Sequence, residues 1–289
     1  ENYCNDSVTG KNAVRYPIDL YMCADCGHVH QLDVVDSKSL WENYTYYSGD
    51  AKGMPEHFNQ VAANIIGRFK PPADALVIDI GSNDGSLLHP FKNSGYRVLG
   101  IDPVREIARM ATESGIETIP ELMSLRLGEK IRKERGEAHV VCMFNAFAHA
   151  DNMGEIAESI RAMLAPDGLF VFEAQYLLDI IDRMLIATIF HEHMSHHSVK
   201  ALTIFFARHG LELIDVERVP IQHGSLIGTV QLIGGKRKTG PSVQRLLDLE
   251  VKRGLDKIDT LKRFGKNIAQ QRARTSKLVS TWKKDGLSV

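Results

Sequence analysis

A short polar turn behind an apolar strand is the first place where this sequence could do chemistry. Residues Asp79 to Gly85 read Asp-Ile-Gly-Ser-Asn-Asp-Gly and follow a β-branched, apolar stretch. Gly81 lets the backbone turn sharply and approach a ligand closely. A second predicted strand, 97–101, ends at Asp102, about twenty residues after the turn, where an acid can accept hydrogen bonds from both ribose hydroxyls. These features predict the nucleotide-binding end of an α/β sheet.

The residue types in this turn discriminate between cofactors. A dinucleotide-binding turn has the form G-x-G-x-x-G, but Asn83 stands where the second glycine should be, which argues against a nicotinamide cofactor. The spacing acid-x-Gly-x-x-x-Gly instead resembles the S-adenosylmethionine loop of class I methyltransferases. Carboxylates such as Asp79 and Asp84 suit a zwitterionic amino acid beside a sulfonium better than a phosphate cradle would. The alternative is an ordinary strand-to-helix turn.

A second polar cluster lies between residues 189 and 198. It holds five ionisable side chains within seven residues: His191, Glu192, His193, His196 and His197. Such a density is hard to bury as packing alone and indicates a site. The metal motif H-E-x-x-H is not satisfied, because Ser195 occupies the place of the second histidine. Acid–base chemistry fits better, since histidine titrates near neutral pH and a neighbouring carboxylate can orient it and stabilise its charge. The alternative is a solvated polar turn.

A C-x-x-C-G knuckle near the start of the chain is a candidate metal site. Its thiolates, Cys23 and Cys26, come from a tight turn and could bind one zinc ion. Tetrahedral zinc needs two more ligands. The local candidates are Cys4, His28 and His30, and the alternative is a second C-x-x-C upstream of residue 1. A redox role is less favoured, because a strand before the pair and a helix after it, as in thioredoxin, are missing.

The bulk composition excludes several classes of protein. A chain of 289 residues exceeds one typical domain, so two units are expected. The net charge of −1 gives no sign of a nucleic-acid-binding surface. No apolar run approaches the roughly eighteen residues of a membrane span, and no signal peptide opens the chain. We therefore expect a soluble, cytoplasmic protein without nucleic-acid or membrane partners. Because residue 1 is Glu, we also expect a piece of a longer protein, and the oligomeric state is left open.

Alternating strands and helices must position these residues. They predict an α/β fold with a mostly parallel sheet and helices on both faces. Helices are predicted at 57–69, 85–94, 104–114, 121–134 and 198–210, and further strands at 138–144, 168–174, 211–217 and 226–233, with a turn at 164–168. The carboxyl ends of parallel strands form the ligand crevice, so Asn145 and His149 should lie near the cofactor.

Three segments are predicted along the chain. Residues 1–69 form an N-terminal zinc-knuckle and substrate-lid domain, which ends near Pro71-Pro72. Residues 70–235 form the S-adenosylmethionine-binding domain, with a Rossmann-like sheet of the class I methyltransferase type. Residues 236–289 are highly charged and form a helical extension.

Together these motifs resemble one family, the bacterial sugar C-methyltransferases, which methylate C3 of 4-keto-deoxy nucleotide sugars. The resemblance spans nearly the whole chain. It rests on the C-x-x-C-G knuckle with Tyr16-Pro17 ahead of it, Tyr46-Tyr47-Ser48, the 79–86 loop, Asn145 to His149, His191-Glu192-His193 and His223-Gly224-Ser225-Leu226. Family members carry a further C-x-x-C before this start and a third, Rossmann-like domain after this end. The resemblance thus implies a piece shortened at both ends.

The resemblance also implies roles for individual residues. Tyr46, His149, Glu192 and His193 should line the site for a nucleotide-linked sugar. His193 would be the base that removes a proton next to the ketone, with Glu192 orienting it, while His149 or Tyr46 donates to the developing oxyanion. The carbanion would then displace the methyl group of S-adenosylmethionine in line. The cofactor would contact Asp79, Gly81, Asn83, Asp84, Gly85, Asp102 and Asn145, and zinc would be structural.

Two positions depart from the family pattern. Phe190 stands where a tyrosine usually precedes His-Glu-His, and Ile227 stands where an arginine often follows Ser-Leu. The first removes a hydroxyl from the site, and the second weakens the case for a phosphate contact. Two alternatives stay open: an O- or N-methyltransferase acting on another small molecule, and a non-catalytic assembly module on a degenerate methyltransferase scaffold.

Overall fold

A computed structural model describes residues 14–35, 40–41 and 44–288. The strands in this part of the chain are β1 (Leu20–Met22), β2 (Val29–Gln31), β3 (Leu76–Ile80), β4 (Arg97–Ile101), β5 (Thr118–Ile119), β6 (Ala138–Phe144), β7 (Leu164–Gln175), β8 (Ser195–His196), β9 (Leu211–Val219) and β10 (Ser225–Leu232). The α-helices are α1 (Met54–Phe69), α2 (Leu88–Asn93), α3 (Arg105–Glu113), α4 (Leu125–Arg135), α5 (Met153–Met163), α6 (Leu177–Arg183), α7 (Val199–Arg208), α8 (Pro241–Arg253) and α9 (Ile258–Lys284).

A seven-stranded sheet organises the molecule, with strand order β5-β4-β3-β6-β7-β10-β9. Strands β5, β4, β3, β6 and β7 run parallel to one another, whereas β10 is antiparallel to both of its neighbours. The predicted α/β architecture with a mostly parallel sheet is therefore confirmed. The parallel strands end at one edge, so the residues that follow β3, β4 and β6 meet there.

Helices cover both faces of this sheet, which explains why its strands are continuously apolar. Within β3, Ile78 and Ile80 belong to the core on one face, while Val77 belongs to the core on the other. Helix α1 packs on the second face through its buried residues, which include Phe58 and Val61. This docking brings the first turn of α1 to the edge where the parallel strands end.

A small antiparallel sheet joins two segments that lie far apart in sequence. Its strand order is β1-β2-β8, and in it Val29 pairs with His196. The buried side chain of Gln31 strengthens the connection, because its amide donates to the carbonyls of Phe190, at 2.8 Å, and His193, at 2.9 Å. The hairpin that carries the cysteine pair thus fixes the backbone around His193. The sequence patterns did not predict this pairing.

Several element boundaries differ from prediction for local reasons. Strand β7 includes the predicted turn at 164–168, because Leu164 pairs with Ala138 before the register shifts. Helix α4 begins only after Ser124, whose hydroxyl accepts from the amide of Leu127 at 3.3 Å. Cys4 and part of the aromatic turn, residues 42–43, lie outside the described residues. In the part of the chain that the structure describes, every helix is too short or too polar to cross a membrane.

Candidate active site

A cavity of about 390 Å³, here called the loop cavity, lies at the carboxyl ends of β3, β4 and β6. Its lining includes Gly81, Asn83, Asp102, Asn145 and His149. The crevice expected from parallel-strand topology is therefore present.

Gly81 brings the backbone of the loop close to this cavity. Its φ of +74° lies in the left-handed region, and its amide donates to the carbonyl of Ile101 at 2.8 Å. An added Cβ would lie 2.6 Å from the Cβ of Ala146, which is too close for any side chain. Glycine is therefore required here both by conformation and by space.

Asp102 lies at the end of β4 and is 5% exposed. Its Oδ2 atom accepts from the amide of Asn83 and its Oδ1 atom from that of Val104, both at 2.9 Å. Burial raises the pKa of this carboxyl, although the two hydrogen bonds oppose the shift. A carboxylate has about four acceptor positions, so each oxygen retains capacity for a ligand hydroxyl.

The other predicted loop residues lie behind the cavity wall. Asp79 is buried, and its Oδ1 atom has no partner among the described residues. Burial, and then the charge of Asp102, raise the pKa of Asp79 to about 8. Asp84 turns away and accepts from the amide of Gly49 at 2.7 Å and from the hydroxyl of Ser86 at 2.6 Å. Neither acid lines the cavity, because their carboxylates are occupied in, or buried beneath, the loop itself. Their predicted contact with the cofactor stays a prediction.

Gly85 and Asn83 shape the loop in different ways. Gly85 has a φ of +80°, and an added Cβ would lie 2.9 Å from Ile116. It packs tightly outside the cavity lining, and its predicted contact with the cofactor stays a prediction. Asn83 does line the cavity, and its side chain also holds the aromatic turn. Its Oδ1 accepts from the amide of Ser48 and its Nδ2 donates to the carbonyl of Tyr46, both at 2.9 Å.

A second cavity of about 150 Å³, here called the His193 cavity, adjoins the first. Tyr46, Asn145 and His149 line both cavities, whereas His193 and Gln222 line the second. Two ligands, one in each cavity, would therefore both contact these three shared residues.

His193 is held in one orientation at the second cavity. Its Nδ1 atom lies 2.7 Å from the carbonyl oxygen of Thr188. A carbonyl can only accept, so Nδ1 carries the hydrogen and Nε2 keeps its lone pair in the neutral ring. Burial lowers the pKa of His193, while the bond to Thr188 opposes the shift. The hydrogen bond at Nδ1 is thus made by Thr188. Glu192, which was predicted to orient His193, is half-buried and lines neither cavity, and its role stays a prediction.

The side chains of His149 and Tyr46 on the cavity wall both keep a hydrogen to donate near neutral pH. Burial, and then the charge of His193, lower the pKa of His149 to about 3, so its ring is neutral and bears one N–H. The ring centroids of these histidines lie 4.9 Å apart. Burial and the nearby Asp84 raise the pKa of Tyr46, which keeps its hydroxyl protonated. Each group can therefore donate a hydrogen bond.

The remaining histidines of the polar cluster lie elsewhere. His196 and His197 are 2% and 1% exposed, and the His197 ring stacks on Phe147 with centroids 5.2 Å apart. His191 lies against the carbonyl of Tyr16 at 3.1 Å. Packing and the small sheet explain these three side chains, so the cluster contributes one residue, His193, to the two cavities.

Three further residues at the cavities or directly behind them were missed in the sequence. Gln222 lines the His193 cavity with a φ of +52°, while Glu173 and His57 form a buried pair behind Asn145. The available signal was the carboxylate of Glu173, which stands in an otherwise apolar strand and therefore needs a partner. The partner itself could not be read from local patterns.

The cysteine knuckle forms the expected turn. The amide of Cys23 donates to the carbonyl of His28 at 2.8 Å, and Gly27 has a φ of +76°. His28, however, lies 3.2 Å from the hydroxyl of Ser195 and stacks on His30. Among the described residues, no group of three or more His, Cys, Asp or Glu side chains could hold a metal. Cys23 and Cys26 are two ligands short of a tetrahedral set there, so the described residues give the predicted zinc site no support.

Comparison with known proteins identifies the family. The family described as "methyltransferase domain" matches residues 54–216, and the family described as "C-methyltransferase C-terminal domain" matches residues 220–289. C-methyltransferase NovU of Streptomyces niveus is 31% identical over 288 residues, which cover 100% of this chain and 69% of NovU. The chain belongs to the bacterial C-methyltransferases. It is therefore an S-adenosylmethionine-dependent methyltransferase with a class I, Rossmann-like fold.

Solved structures support the same fold. The PH0226 protein of Pyrococcus horikoshii OT3 has a TM-score of 0.53 at 14% identity, covering 68% of this chain and 100% of its own. The complex of the Trm112 methyltransferase activator with a methyltransferase from Haloferax volcanii has a TM-score of 0.52 at 17% identity. The match covers 69% of this chain and 99% of the matched chain.

The methyl donor of this C-methyltransferase family fits the loop cavity. S-adenosylmethionine is positively charged at its sulfonium and at its amino group, and acids line the cavity or lie behind it. The missing Cβ of Gly81 leaves the backbone accessible, and Asp102 retains acceptor capacity for ribose hydroxyls. The unpaired Oδ1 atom of Asp79 is a buried acceptor that a nearby positive charge would stabilise.

Proposed function

We propose that this enzyme methylates C3 of a nucleotide-linked 4-keto-deoxy sugar, after removing a proton from the carbon next to the ketone. One observation carries the proposal: two adjoining cavities share Tyr46, Asn145 and His149, and His193 lines the smaller one. Proton removal and methyl transfer would occur on the same carbon, so the base and the methyl donor must reach one point from two sides.

The loop cavity would hold S-adenosylmethionine through Gly81, Asn83, Asp102 and Asn145. Asp102 would accept from the ribose hydroxyls, while the negative charge around the loop would favour the cationic end. Asp79, Asp84 and Gly85 would act indirectly. Asp84 would act through its charge, Asp79 through a buried carboxyl whose raised pKa a bound cation would lower, and Gly85 through the shape of the loop. When bound, the cofactor supplies an electrophilic methyl group.

His193 would act as the general base. Its Nε2 lone pair is defined by the hydrogen bond from Nδ1 to Thr188, and its lowered pKa keeps the ring neutral at pH 7. A proton next to a ketone becomes acidic only when the enolate oxygen is stabilised. His149 or Tyr46 would provide that hydrogen bond, because both keep a hydrogen to donate at neutral pH.

Phe190 leaves the site without the hydroxyl that the family resemblance predicts beside the base. Its ring lies against His193, with ring centroids 4.4 Å apart. The aromatic face excludes water from the base rather than donating to the substrate. The oxyanion must then be stabilised by the shared wall, which favours His149 and Tyr46 for this role.

Hydrogen exchange at the sugar carbon tests the proposal. The enzyme is incubated in D2O with a nucleoside-diphosphate-linked 4-keto-6-deoxy sugar and S-adenosylhomocysteine, and C3 is followed by NMR. We expect deuterium at C3 without turnover, and a new carbon-bound methyl group when S-adenosylmethionine is supplied. His193→Ala should lose the exchange and keep affinity for S-adenosylhomocysteine. A methyl group on oxygen or nitrogen, with no exchange, would instead support an O- or N-methyltransferase.

A further inference from the structure

A buried acid–histidine pair lies directly behind the shared wall of the two cavities. Glu173, in β7, is fully buried at 0% exposure. Its Oε2 atom lies 2.5 Å from Nε2 of His57, whose side chain is 11% exposed. Because a carboxylate only accepts, Nε2 carries the hydrogen of this bond. A buried charge without a partner is strongly destabilising, so His57 makes the presence of Glu173 in the apolar sheet possible.

The second oxygen of Glu173 acts on Asn145. Oε1 accepts from Nδ2 of Asn145 at 2.8 Å, and the main-chain carbonyl of Glu173 accepts from the Asn145 amide at 2.9 Å. Asn145 has a φ of +53°, a left-handed conformation that asparagine tolerates better than most residues but that still needs support. Glu173 therefore fixes both the backbone and the side chain of Asn145.

This contact also decides which way the amide of Asn145 faces. An asparagine side chain can usually present either its oxygen or its nitrogen to a neighbour. The acceptor-only carboxylate of Glu173 selects the nitrogen, so the Oδ1 oxygen lies on the opposite side of the amide. Asn145 lines both cavities, and a cationic methyl donor in the loop cavity would be stabilised by such a hydrogen-bond acceptor.

Helix α1 connects this arrangement to the smaller cavity. Met54 and Phe58, which flank His57 in the helix, line the His193 cavity. One helix thus supports Asn145 through His57 and shapes the neighbouring cavity through the residues on either side.

We propose that His57 and Glu173 form a positioning pair, which fixes the Asn145 amide so that its oxygen faces the positively charged methyl donor. The inference rests on the proposed function only where it assigns the loop cavity to S-adenosylmethionine. Neither residue of the pair touches the donor in this arrangement, and both act through Asn145.

Two substitutions of the same histidine test the pair. In His57→Gln, the amide nitrogen can take the place of Nε2 and still donate to Glu173, whereas His57→Ala removes the donor. Affinity for S-adenosylhomocysteine, measured by calorimetry, should fall about tenfold or more in His57→Ala, since a hydrogen bond to a charged group is lost. It should stay within about threefold of the wild type in His57→Gln, where that bond is retained. Equal loss in both variants would overturn the proposal.

Glu173→Gln provides an independent test with nearly the same shape. A neutral amide at this position accepts or donates, so either orientation of Asn145 becomes possible. We expect weaker S-adenosylhomocysteine binding. We also expect kcat to fall by a larger factor than the KM for the sugar rises, because the methyl donor is misplaced and the sugar is not. Unchanged affinity would overturn the proposal, even where His57→Ala fails to fold.

Glu250→Gln is the matched control for loss of a buried carboxylate. Glu250 is 3% exposed, accepts from the hydroxyl of Tyr176 at 2.9 Å and lines neither cavity. The Glu250→Gln substitution should lower the Tm and leave the affinity for S-adenosylhomocysteine unchanged. An equal loss of affinity would mean that general destabilisation explains all the variants. The measurement of S-adenosylhomocysteine affinity needs no sugar, so it separates the two proposals. If the variants change this affinity but the enzyme does not methylate a keto sugar, the proposed role of His57 and Glu173 is supported and the proposed substrate is rejected.

Discussion

The ring of Phe190 lies against the ring of His193, with centroids 4.4 Å apart and planes inclined by 49°. The nitrogen of His193 that bears the hydrogen donates to the carbonyl of Thr188, and the ring also lies beside the ring of His149, with centroids 4.9 Å apart. An apolar neighbour disfavours the charged imidazolium, in agreement with the lowered pKa of His193. The proposed base, His193, is therefore a neutral and poorly solvated ring at pH 7.

The acid limb of the rate profile should therefore lie below the ordinary pKa of histidine. A lowered pKa means that His193 stays unprotonated, and active, to a lower pH than a solvated histidine would. We expect kcat/KM to fall only below about pH 6.5, the unperturbed value, as the ring becomes protonated. Phe190→Ala admits water to the ring and should move the acid limb to higher pH. His191→Gln, a substitution outside both cavities, is the control and should leave the acid limb at the same pH. If kcat/KM of the wild type already falls above about pH 6.5, the assignment of His193 as the base is contradicted.

Phe190→Tyr should increase the rate of methyl transfer. The added hydroxyl would lie beside the base and could donate to the enolate oxygen, a second donor where the wild-type site relies on His149 or Tyr46. One further hydrogen bond to a developing charge corresponds to a gain of about tenfold in kcat. Steady-state kinetics with both substrates measure the effect. A lower kcat at unchanged S-adenosylhomocysteine affinity would show that the hydroxyl is not directed at the oxygen.

Cofactor binding and proton removal should separate cleanly between two variants. Asp102→Ala removes an acceptor for the ribose and the anchor for the amides of Asn83 and Val104, so the Kd for S-adenosylhomocysteine should rise about tenfold or more. His193→Ala removes the base and should reduce methylation about a hundredfold or more while that Kd stays nearly constant. Calorimetry and a methyl-transfer assay measure the two properties. Equal loss of both in either variant would show that the roles are misassigned.

The parts of the site that follow from local sequence were predictable. The strand before Asp79, the left-handed turn at Gly81 and the acid at the end of β4 each depend on a few consecutive residues. The position of Asn145 followed from topology, because parallel strands must end at one edge. For the same reason, residues that follow different strands could be assigned to one crevice without a structure.

The parts that depend on pairing between distant segments were not predictable. His57 and Glu173 are 116 residues apart, and nothing in either local pattern names the other as its partner. The pairing of β2 with β8 is similar, since it buries His196 in the small sheet, whereas His193, slightly earlier in the chain, lines a cavity. A dense histidine cluster therefore indicated a segment that reaches a cavity through His193, but it overestimated how many of its members do so.

Acid should destabilise the fold through histidines that are buried in the neutral form. Burial lowers the pKa of His149 and His196 to about 3, and that of His197 well below its ordinary value of 6.5. The unfolded chain therefore binds protons below about pH 6.5 that the folded chain does not, and stability is lost as the pH falls. Each such histidine contributes a slope of about 1.4 kcal/mol per pH unit, down to its folded pKa. Urea unfolding at about pH 7.5, about pH 6 and about pH 5 would measure the combined slope.

His197→Phe isolates one member of this group. Neither ring nitrogen of His197 has a partner among the described residues, and the ring stacks on Phe147, so phenylalanine preserves the shape and removes two buried, unpaired polar atoms. The variant should be at least as stable as the wild type at neutral pH. Its free energy of unfolding should fall less steeply as the pH is lowered, and the difference in slope should equal the contribution of one histidine. An unchanged slope would mean that His197 is protonated in the folded state, and that its burial does not govern the acid sensitivity of the fold.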